Sequence, residues 1–140
     1  MANRLAFALP GDPETLTGGY IYDKRLLREL RALGWQADLL RLGDGFPHPS
    51  PATMNAALRA LASVPAGAIL IVDGLAFGAL DTSGLHSVAA PILALVHHPL
   101  ALEDGLPPDR AAALRALERA NLACARHVAV TSPHTAVTLA

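Results

Sequence analysis

Five short apolar segments, separated by stretches with helical spacing, constrain the fold of this chain more than any other feature. They lie at residues 5–9, 35–42, 68–72, 92–96 and 127–130. Nearly continuous apolar runs of this length are typical of strands covered by helices on both faces. Strands that alternate with helices form βαβ units with parallel strands. The sequence therefore predicts an α/β fold: a three-layer Rossmann-like domain with a parallel sheet of about five strands and helices on both faces.

The strand order decides which loops meet at the edge of the sheet. We expect the order 3-2-1-4-5, in which the loops after the first and fourth strands face each other across a crevice. Open parallel sheets bind their ligands at this carboxyl edge. The first loop contains Thr17-Gly18-Gly19-Tyr20, and the second contains His97-His98-Pro99 and continues to Glu103. Two segments far apart in sequence are thus predicted to form one site.

Residues with capping preferences mark the ends of the intervening helices. Gly34 is expected to end the first helix, and Ser50 followed by Pro51 to begin the second. Asp109 is expected to cap a later helix, and Ser132 to cap the last one. The predicted helices cover residues 20–33, 51–64 and 109–125, and a final segment that begins at residue 133.

Helical periodicity predicts which side chains face the core. Between residues 76 and 90 the pattern is weaker and predicts two short helices separated by a turn at 81–84. The expected inward residues are Tyr22, Leu26, Leu30 and Leu33 in the first helix, Met54, Leu58 and Leu61 in the second, and Leu114, Leu117 and Ala120 in the helix after Asp109.

Length and charge balance exclude several classes of protein. The 140 residues suit a single domain over 1–140, and 52% hydrophobic against 16% charged residues indicates a packed core rather than disorder. The balance of eleven basic and twelve acidic residues gives no basic surface for binding nucleic acid. Aromatic residues make up only 4% of the chain, which leaves few side chains for base stacking. Apolar runs fall short of the roughly 20 residues of a membrane span. The single cysteine, Cys124, is expected to be buried and inert, which fits a reducing, cytoplasmic location.

The candidate site residues each have a functional and a structural interpretation. Gly18-Gly19 at a helix start can admit a phosphate or simply allow positive φ. Adjacent His97 and His98 cannot both face one way in an extended chain, so one is expected in the crevice. Further metal ligands at useful spacing are absent from the sequence, so no metal is expected. Glu103 can bind sugar hydroxyls, act as a base, or lie in solvent.

Two further residues at strand ends complete the set of candidates. Asp73 ends the third strand and is followed by Gly74, which suits a crevice-lining or a turn-forming residue. Thr131 and Ser132 end the fifth strand, and their main role is expected to be capping of the last helix. The sequence has no G-x-G-x-x-G fingerprint, no P-loop and no G-x-S-x-G nucleophile elbow.

The order of these motifs resembles the start of family-four (group 1) glycosyltransferases. The resemblance covers essentially the whole chain, and it rests on order and spacing rather than on any single motif. The matching segments are Thr17-Gly18-Gly19-Tyr20, Leu26-Leu27-Arg28-Glu29-Leu30 with Gly34, Leu95-Val96-His97-His98-Pro99-Leu100 with Leu102-Glu103, and Leu117-Glu118-Arg119-Ala120 followed by Val128-Ala129-Val130-Thr131-Ser132.

The resemblance implies an enzyme of carbohydrate biosynthesis with the GT-B fold, of which this chain would be the N-terminal, acceptor-side domain. The reaction would transfer a sugar from a nucleotide-diphosphate sugar to a hydroxyl of a sugar, lipid or small-molecule acceptor. It would proceed with retention and without metal or cofactor. His97 would be the catalytic residue that contacts the transferred sugar. The implied substrate-binding residues are Gly18, Gly19, Tyr20, Asp73, His98, Glu103 and Ser132.

The two spaced glutamates that mark the donor-binding domain of this family do not occur here. We therefore expect the donor domain to lie outside this chain and the chain alone to be inactive, with membrane contact at most peripheral. A stand-alone flavodoxin-like module that binds a small molecule or regulates a partner is the main alternative, and a nucleotide-sugar epimerase is a weaker one. The genomic sequence beyond Ala140 would distinguish them.

Overall fold

A computed structural model describes residues 3–11 and 18–139, and it has the α/β fold that the alternating pattern predicts. Every strand pairing within these residues is parallel. The strands are short and largely apolar, and helices cover both faces of the sheet they form. They are β1 (Arg4–Leu9), β2 (Gln36–Arg41), β3 (Ile69–Asp73), β4 (Ile92–Val96) and β5 (His127–Val130).

The strand order is 2-1-3-4-5, so the predicted order 3-2-1-4-5 is wrong. The reason lies in the polarity of the second and third strands. β2 has exposed Gln36, Asp38 and Arg41, so it can lie at the edge of the sheet. β3 is buried over its last four residues and therefore needs a neighbouring strand on each side. β3 accordingly lies between β1 and β4. The loop after β3 therefore joins the site at the carboxyl edge.

Helices divide the core between the two faces of the sheet. Helix α1 covers one face, where Leu27 packs with Phe7 and Ile71. On the other face, Leu61 and Phe77 pack against Val72 and its neighbours. The helices are α1 (Gly18–Ala32), α2 (Pro51–Ala62), α3 (Gly74–Phe77), α4 (Thr82–Leu85), α5 (Pro108–Cys124) and α6 (Pro133–Leu139), and a 3₁₀ turn spans Leu100–Leu102. None of these helices is both long and apolar enough to cross a membrane.

Three of the predicted caps are confirmed. Ser50 Oγ accepts the backbone N–H of Thr53 at 3.1 Å, with Pro51 as the first helical residue. Ser132 Oγ accepts the N–H of Thr135 at 3.1 Å. Gly34 has φ of 98° and ends α1 in a Schellman motif, in which its own N–H bonds Arg31 O and the N–H of Trp35 bonds Leu30 O.

Two local predictions are wrong. Helix α5 begins at Pro108 with Pro107 as its N-cap, so Asp109 lies in the first turn, where its charge suits the helix dipole, and is not the cap. The residues predicted to form a turn at 81–84 instead include helix α4, and the chain turns earlier, at residues 78–80. The two short helices predicted for this segment are present.

The residues that face the core in α1 and α5 differ in part from those that the apolar periodicity predicts. Leu33 is 78% exposed because it lies just beyond the end of α1, and Tyr22 is 45% exposed. Ala120 is exposed and Leu117 is half-buried, whereas Leu114 is buried as predicted. The periodicity missed Leu27, which is buried in α1, and three buried polar residues: Asp23 in α1, and Glu118 and Asn121 in α5.

Both polar residues of α5 have backbone partners in other elements. Asn121 Nδ2 donates to Phe77 O at 2.8 Å and to Leu80 O at 2.7 Å, and its Oδ1 accepts the Thr82 hydroxyl at 2.6 Å. Glu118 Oε2 accepts the N–H of Leu100 at 3.3 Å. Through these bonds α5 fixes the α3–α4 connection and the segment after β4. Cys124, at the end of α5, is half-buried and its Sγ lies 3.6 Å from Ala120 O.

Candidate functional site

A cavity of about 330 Å³ opens at the carboxyl edge of the sheet. The start of α1, the residues after β3 and the segment after β4 form its walls, so the two loops predicted to converge do converge. Asp73 from the strand between them joins them because of the corrected strand order. The lining residues are Gly19, Tyr20, Asp73, Leu75, His97, His98, Leu100 and Glu103. Their roles in binding stay predictions.

Three residues of the predicted site lie elsewhere or are described only in part. Gly18 is the first residue of α1, and Thr17 lies outside the described residues. Ser132 caps α6 and does not line the cavity. Ser132 is connected to His97 only through Thr135. The Ser132 hydroxyl lies 2.9 Å from the Thr135 hydroxyl, which donates to the backbone oxygen of His97 at 3.3 Å.

The imidazole of His97 is the centre of the site. Its Nε2 lies 2.9 Å from Asp23 Oδ1 and 3.5 Å from Asp73 Oδ2. The His97 side chain is 21% exposed, whereas those of Asp23 and Asp73 are 0% and 3% exposed. The ring of Tyr22 meets the imidazole edge-on, with centroids 5.3 Å apart. His97 thus closes a buried pair of carboxyl groups and presents one edge to the cavity.

Gly19 allows His97 to lie against the N-terminus of α1. A Cβ at position 19 would be 3.2 Å from His97 Cδ2, which is too close without a shift of the ring. The Tyr20 hydroxyl donates to Pro10 O at 2.8 Å and anchors this turn to the end of β1. The contact with His97 therefore explains why position 19 lacks a side chain, in addition to the close approach of a ligand that the sequence suggests.

The two carboxyl groups make His97 a cation at neutral pH. The hydrogen bond to Asp23, then that to Asp73, raises the pKa of His97 to about 9, against the opposing effect of burial. Burial raises the pKa of Asp23 to about 7, in part offset by His97. Burial also acts to raise the pKa of Asp73, but the interaction with His97, the neighbouring Asp23 carboxyl group and the hydrogen bond from the Leu75 N–H outweigh it and lower that pKa. The imidazolium can donate a hydrogen bond but cannot accept a proton.

The same three residues form a group that can hold a divalent cation. Asp23, Asp73 and His97 each offer one ligand atom, and these atoms lie within 4.8 Å of one another. The sequence offered no further ligands near His97, and the fold brings two from distant segments. The 2.9 Å separation of His97 Nε2 and Asp23 Oδ1 is, however, an ordinary hydrogen bond that requires a proton and no metal. Absence of a metal stays a prediction.

The structure distinguishes the adjacent histidines. His97 turns toward the carboxyl pair, whereas His98 is exposed at the rim of the cavity. Glu103 is also exposed, and its Oε2 lies 4.0 Å from His48 Nε2. The rim is therefore polar and solvated, and the floor holds the tightly bonded groups.

Sequence reasoning missed Asp23, which has the shortest contact to His97. A signal was present: position 23 lies three, four and seven residues before Leu26, Leu27 and Leu30, which form the apolar stripe of α1. A carboxylate on an apolar stripe needs a buried partner. The position of that partner, 74 residues later in the chain, is not visible in the local pattern.

The chain matches no known protein-family model, and no curated protein is significantly similar to it in sequence.

Proposed function

We propose that this chain is the acceptor-side domain of a retaining glycosyltransferase that uses a nucleotide-diphosphate sugar. The observation that carries the proposal is the contact between His97 and Gly19 at the N-terminus of α1, inside a cavity at the carboxyl edge of a parallel sheet. The order of motifs in the sequence supports the same assignment. The diphosphate would be bound mainly by a second domain across the cavity.

The charges in the cavity suit binding of a sugar and stabilisation of a leaving group. Tyr20, Leu75 and Leu100 supply apolar surface, against which the faces of a sugar ring or an acceptor can pack. The His97 imidazolium donates a hydrogen bond to a sugar oxygen rather than removing a proton. The positive end of the α1 dipole favours negative charge that develops on the departing phosphate.

The carboxyl groups beside His97 argue against a covalent sugar intermediate. A nucleophilic carboxylate must reach the anomeric carbon, as in retaining glycoside hydrolases. Asp23 is fully buried, and Asp73 is 2% exposed and accepts the Leu75 N–H at 2.9 Å. Neither group is free to attack. The reaction therefore proceeds without a covalent link to these residues, and their function is to hold His97.

The first prediction concerns His97. In the protein encoded by the complete gene, we expect slow hydrolysis of a nucleotide-diphosphate sugar even without acceptor, measured over a panel of uridine, guanosine, adenosine and thymidine diphosphate sugars. His97→Ala should lower kcat/KM about 100-fold, because a preorganised donor is lost. His127→Ala, at an exposed histidine that begins β5 and does not line the cavity, is the matched control and should stay within a few-fold of wild type.

If the protein neither hydrolysed nor transferred any of these donor sugars, the assignment as a glycosyltransferase would be wrong. Wild-type activity of the His97→Ala protein would contradict the role of the histidine. The 140-residue chain alone should show no turnover, because the groups that bind the diphosphate are in the other domain.

One observation favours a second candidate function. The strand order 2-1-3-4-5 is that of flavodoxin-like domains, which bind flavin mononucleotide where β1 and β3 diverge. The cavity lies beside the same strands. A stand-alone binding module would bind this nucleotide with the 140-residue chain alone, measured by fluorescence titration, and the complete protein would show no transfer of sugar.

A further inference from the structure

The fully buried Asp23 carboxyl group has no part in the substrate contacts described above. We infer that Asp23 is a positioning residue, which fixes the His97 ring with Nε2 turned into the protein and Nδ1 left for the ligand. This inference rests on the proposed function where it concerns turnover, but the orientation and charge of His97 can be measured independently of it.

Helix α1 holds the imidazole at two adjacent ring atoms. Asp23 Oδ1 lies 2.9 Å from Nε2, and the Cβ position of Gly19 lies 3.2 Å from Cδ2. Residues 19 and 23 are four positions apart and therefore share one face of the helix. A glycine and an aspartate at this spacing form a socket for one edge of the ring. The ring can neither flip nor swing away without losing a hydrogen bond.

The opposite edge of the ring remains for the ligand. Nδ1 lies 3.4 Å from the Thr131 hydroxyl, a long contact compared with the one to Asp23. Thr131 is exposed at the end of β5. A ligand oxygen can replace this hydroxyl as the acceptor for Nδ1–H, whereas no ligand can displace the buried Asp23.

Asp23 is a costly residue for stability alone. It is 0% exposed, and among the described residues its Oδ2 has no hydrogen-bond partner. An unpaired carboxylate oxygen in an apolar layer is destabilising, and leucine at this position would continue the stripe of Leu26, Leu27 and Leu30. The carboxyl group is explained by its effect on His97, which it keeps oriented and charged.

The other charged groups near His97 do not duplicate this role. Asp73 is bonded to the Leu75 N–H and lies at a longer distance, 3.5 Å, from Nε2. Glu103 and His98 line the rim of the cavity, and Glu118 of α5 is bonded to the N–H of Leu100 and not to His97. Asp23 alone among them combines full burial with the shortest bond to the ring. It therefore determines that His97 acts as a hydrogen-bond donor and not as a base.

The test is NMR titration of the His97 ring in the 140-residue chain. In the wild type we expect an imidazolium at pH 7.5. In Asp23→Asn we expect the pKa of His97 to fall by about one unit or more, because an opposite charge is removed. Glu29→Gln, an exposed carboxylate on the same helix, is the control and should leave the titration unchanged. A neutral His97 in the wild type, or an unchanged titration in Asp23→Asn, would overturn the inference.

Turnover of the complete protein separates this inference from the proposed function. Asp23→Asn should lower kcat for donor hydrolysis at least about tenfold, leave KM within a few-fold, and move the alkaline limb of the kcat profile to lower pH. An unshifted alkaline limb would refute the positioning role. If the wild type hydrolyses no donor while the NMR result holds, the proposed function fails and the orienting of His97 by Asp23 stands. Because the wild-type titration needs no substitution, poor folding of the variant leaves the inference testable.

Discussion

His97 and Asp23 hold protons in the folded chain that the unfolded chain releases. The pKa of His97 rises from 6.5 to about 9 on folding, and that of Asp23 from 3.8 to about 7. The stabilisation from the charged His97 is therefore fully present below pH 6.5 and is lost as pH rises through about 9. Asp23 contributes in the same direction between about pH 4 and 7. Asp73 has a lowered pKa, so its stabilising contribution is fully present above its ordinary pKa of 3.8 and is lost as pH falls below that value.

We predict that the free energy of unfolding falls as pH rises from 6.5 to 9. The slope should approach about 1.4 kcal/mol per pH unit in the middle of this window, because the folded chain binds one more proton than the unfolded chain. Urea unfolding monitored by circular dichroism at several pH values measures it. The double variant Asp23→Asn/His97→Gln lacks both groups and should have a nearly flat profile. A flat wild-type profile would contradict the predicted charge of His97.

At the scale of single residues, the sequence predicts part of the candidate site. Asp73 and His97 are found because a polar residue directly after an apolar strand lies at the ligand-binding edge of the sheet. Gly19 is found because it lies at the start of a helix. Asp23 is not found, since it lies inside a helix whose other buried residues are apolar. Its partner is fixed only by the tertiary fold.

Helix α1 shows how capping chemistry acts on a whole element. Its last turn depends on the left-handed conformation of Gly34, which lets two backbone N–H groups reach carbonyl oxygens that would otherwise be unpaired. Gly67, in the turn before β3, has no such requirement. Neither position has an atom within 4 Å of an added Cβ, so the two glycines differ in backbone conformation and not in space.

We predict opposite outcomes for the two alanine substitutions. Gly34→Ala should destabilise the chain by about 1 kcal/mol, because a side chain disfavours positive φ. Gly67→Ala should leave stability unchanged or raise it by up to about 1 kcal/mol, since the unfolded chain loses freedom. Urea denaturation of both variants at one pH measures the difference. Equal changes in the free energy of unfolding would show that the left-handed conformation of Gly34 does not contribute to stability.

Element positions follow from the sequence better than the faces of the elements do. The strands lie within two residues of their predicted bounds, because apolar runs and glycine breaks are local signals. The inward face of α5 does not follow from apolar spacing. Glu118 and Asn121 are buried because carbonyl and N–H groups of other elements bind them. Such partners belong to segments that periodicity does not connect.

The whole molecule is organised around three central strands. β1, β3 and β4 are each paired on both sides, and β2 and β5 form the edges. The handedness and connection rules allow more than one order for five parallel strands. The order follows once the polar residues of β2 are taken as the mark of an edge strand. That assignment also places Asp73 between the two loops of the site.

We predict that amide hydrogen exchange reflects this order. Amides of β1, β3 and β4 should exchange most slowly, because their hydrogen bonds open only when the sheet itself opens. Amides of β2 and β5 should exchange at least about tenfold faster through opening of the edges. NMR-detected exchange in deuterated buffer gives rates for each strand. Protection of β2 equal to that of β1 would place β2 inside the sheet and contradict the order.

The central place of β1 makes the site a late product of folding. Leu5 pairs with Ile69, so the first strand acquires its second neighbour only after a long loop closes. His97 follows β4, and β4 docks onto β3. Until then α1 can pack on β1 and β2 while Asp23 remains hydrated and ionised. We expect the contact between His97 and Asp23 to form with dehydration of the carboxyl group and uptake of a proton, so assembly of the site is itself an acid–base reaction.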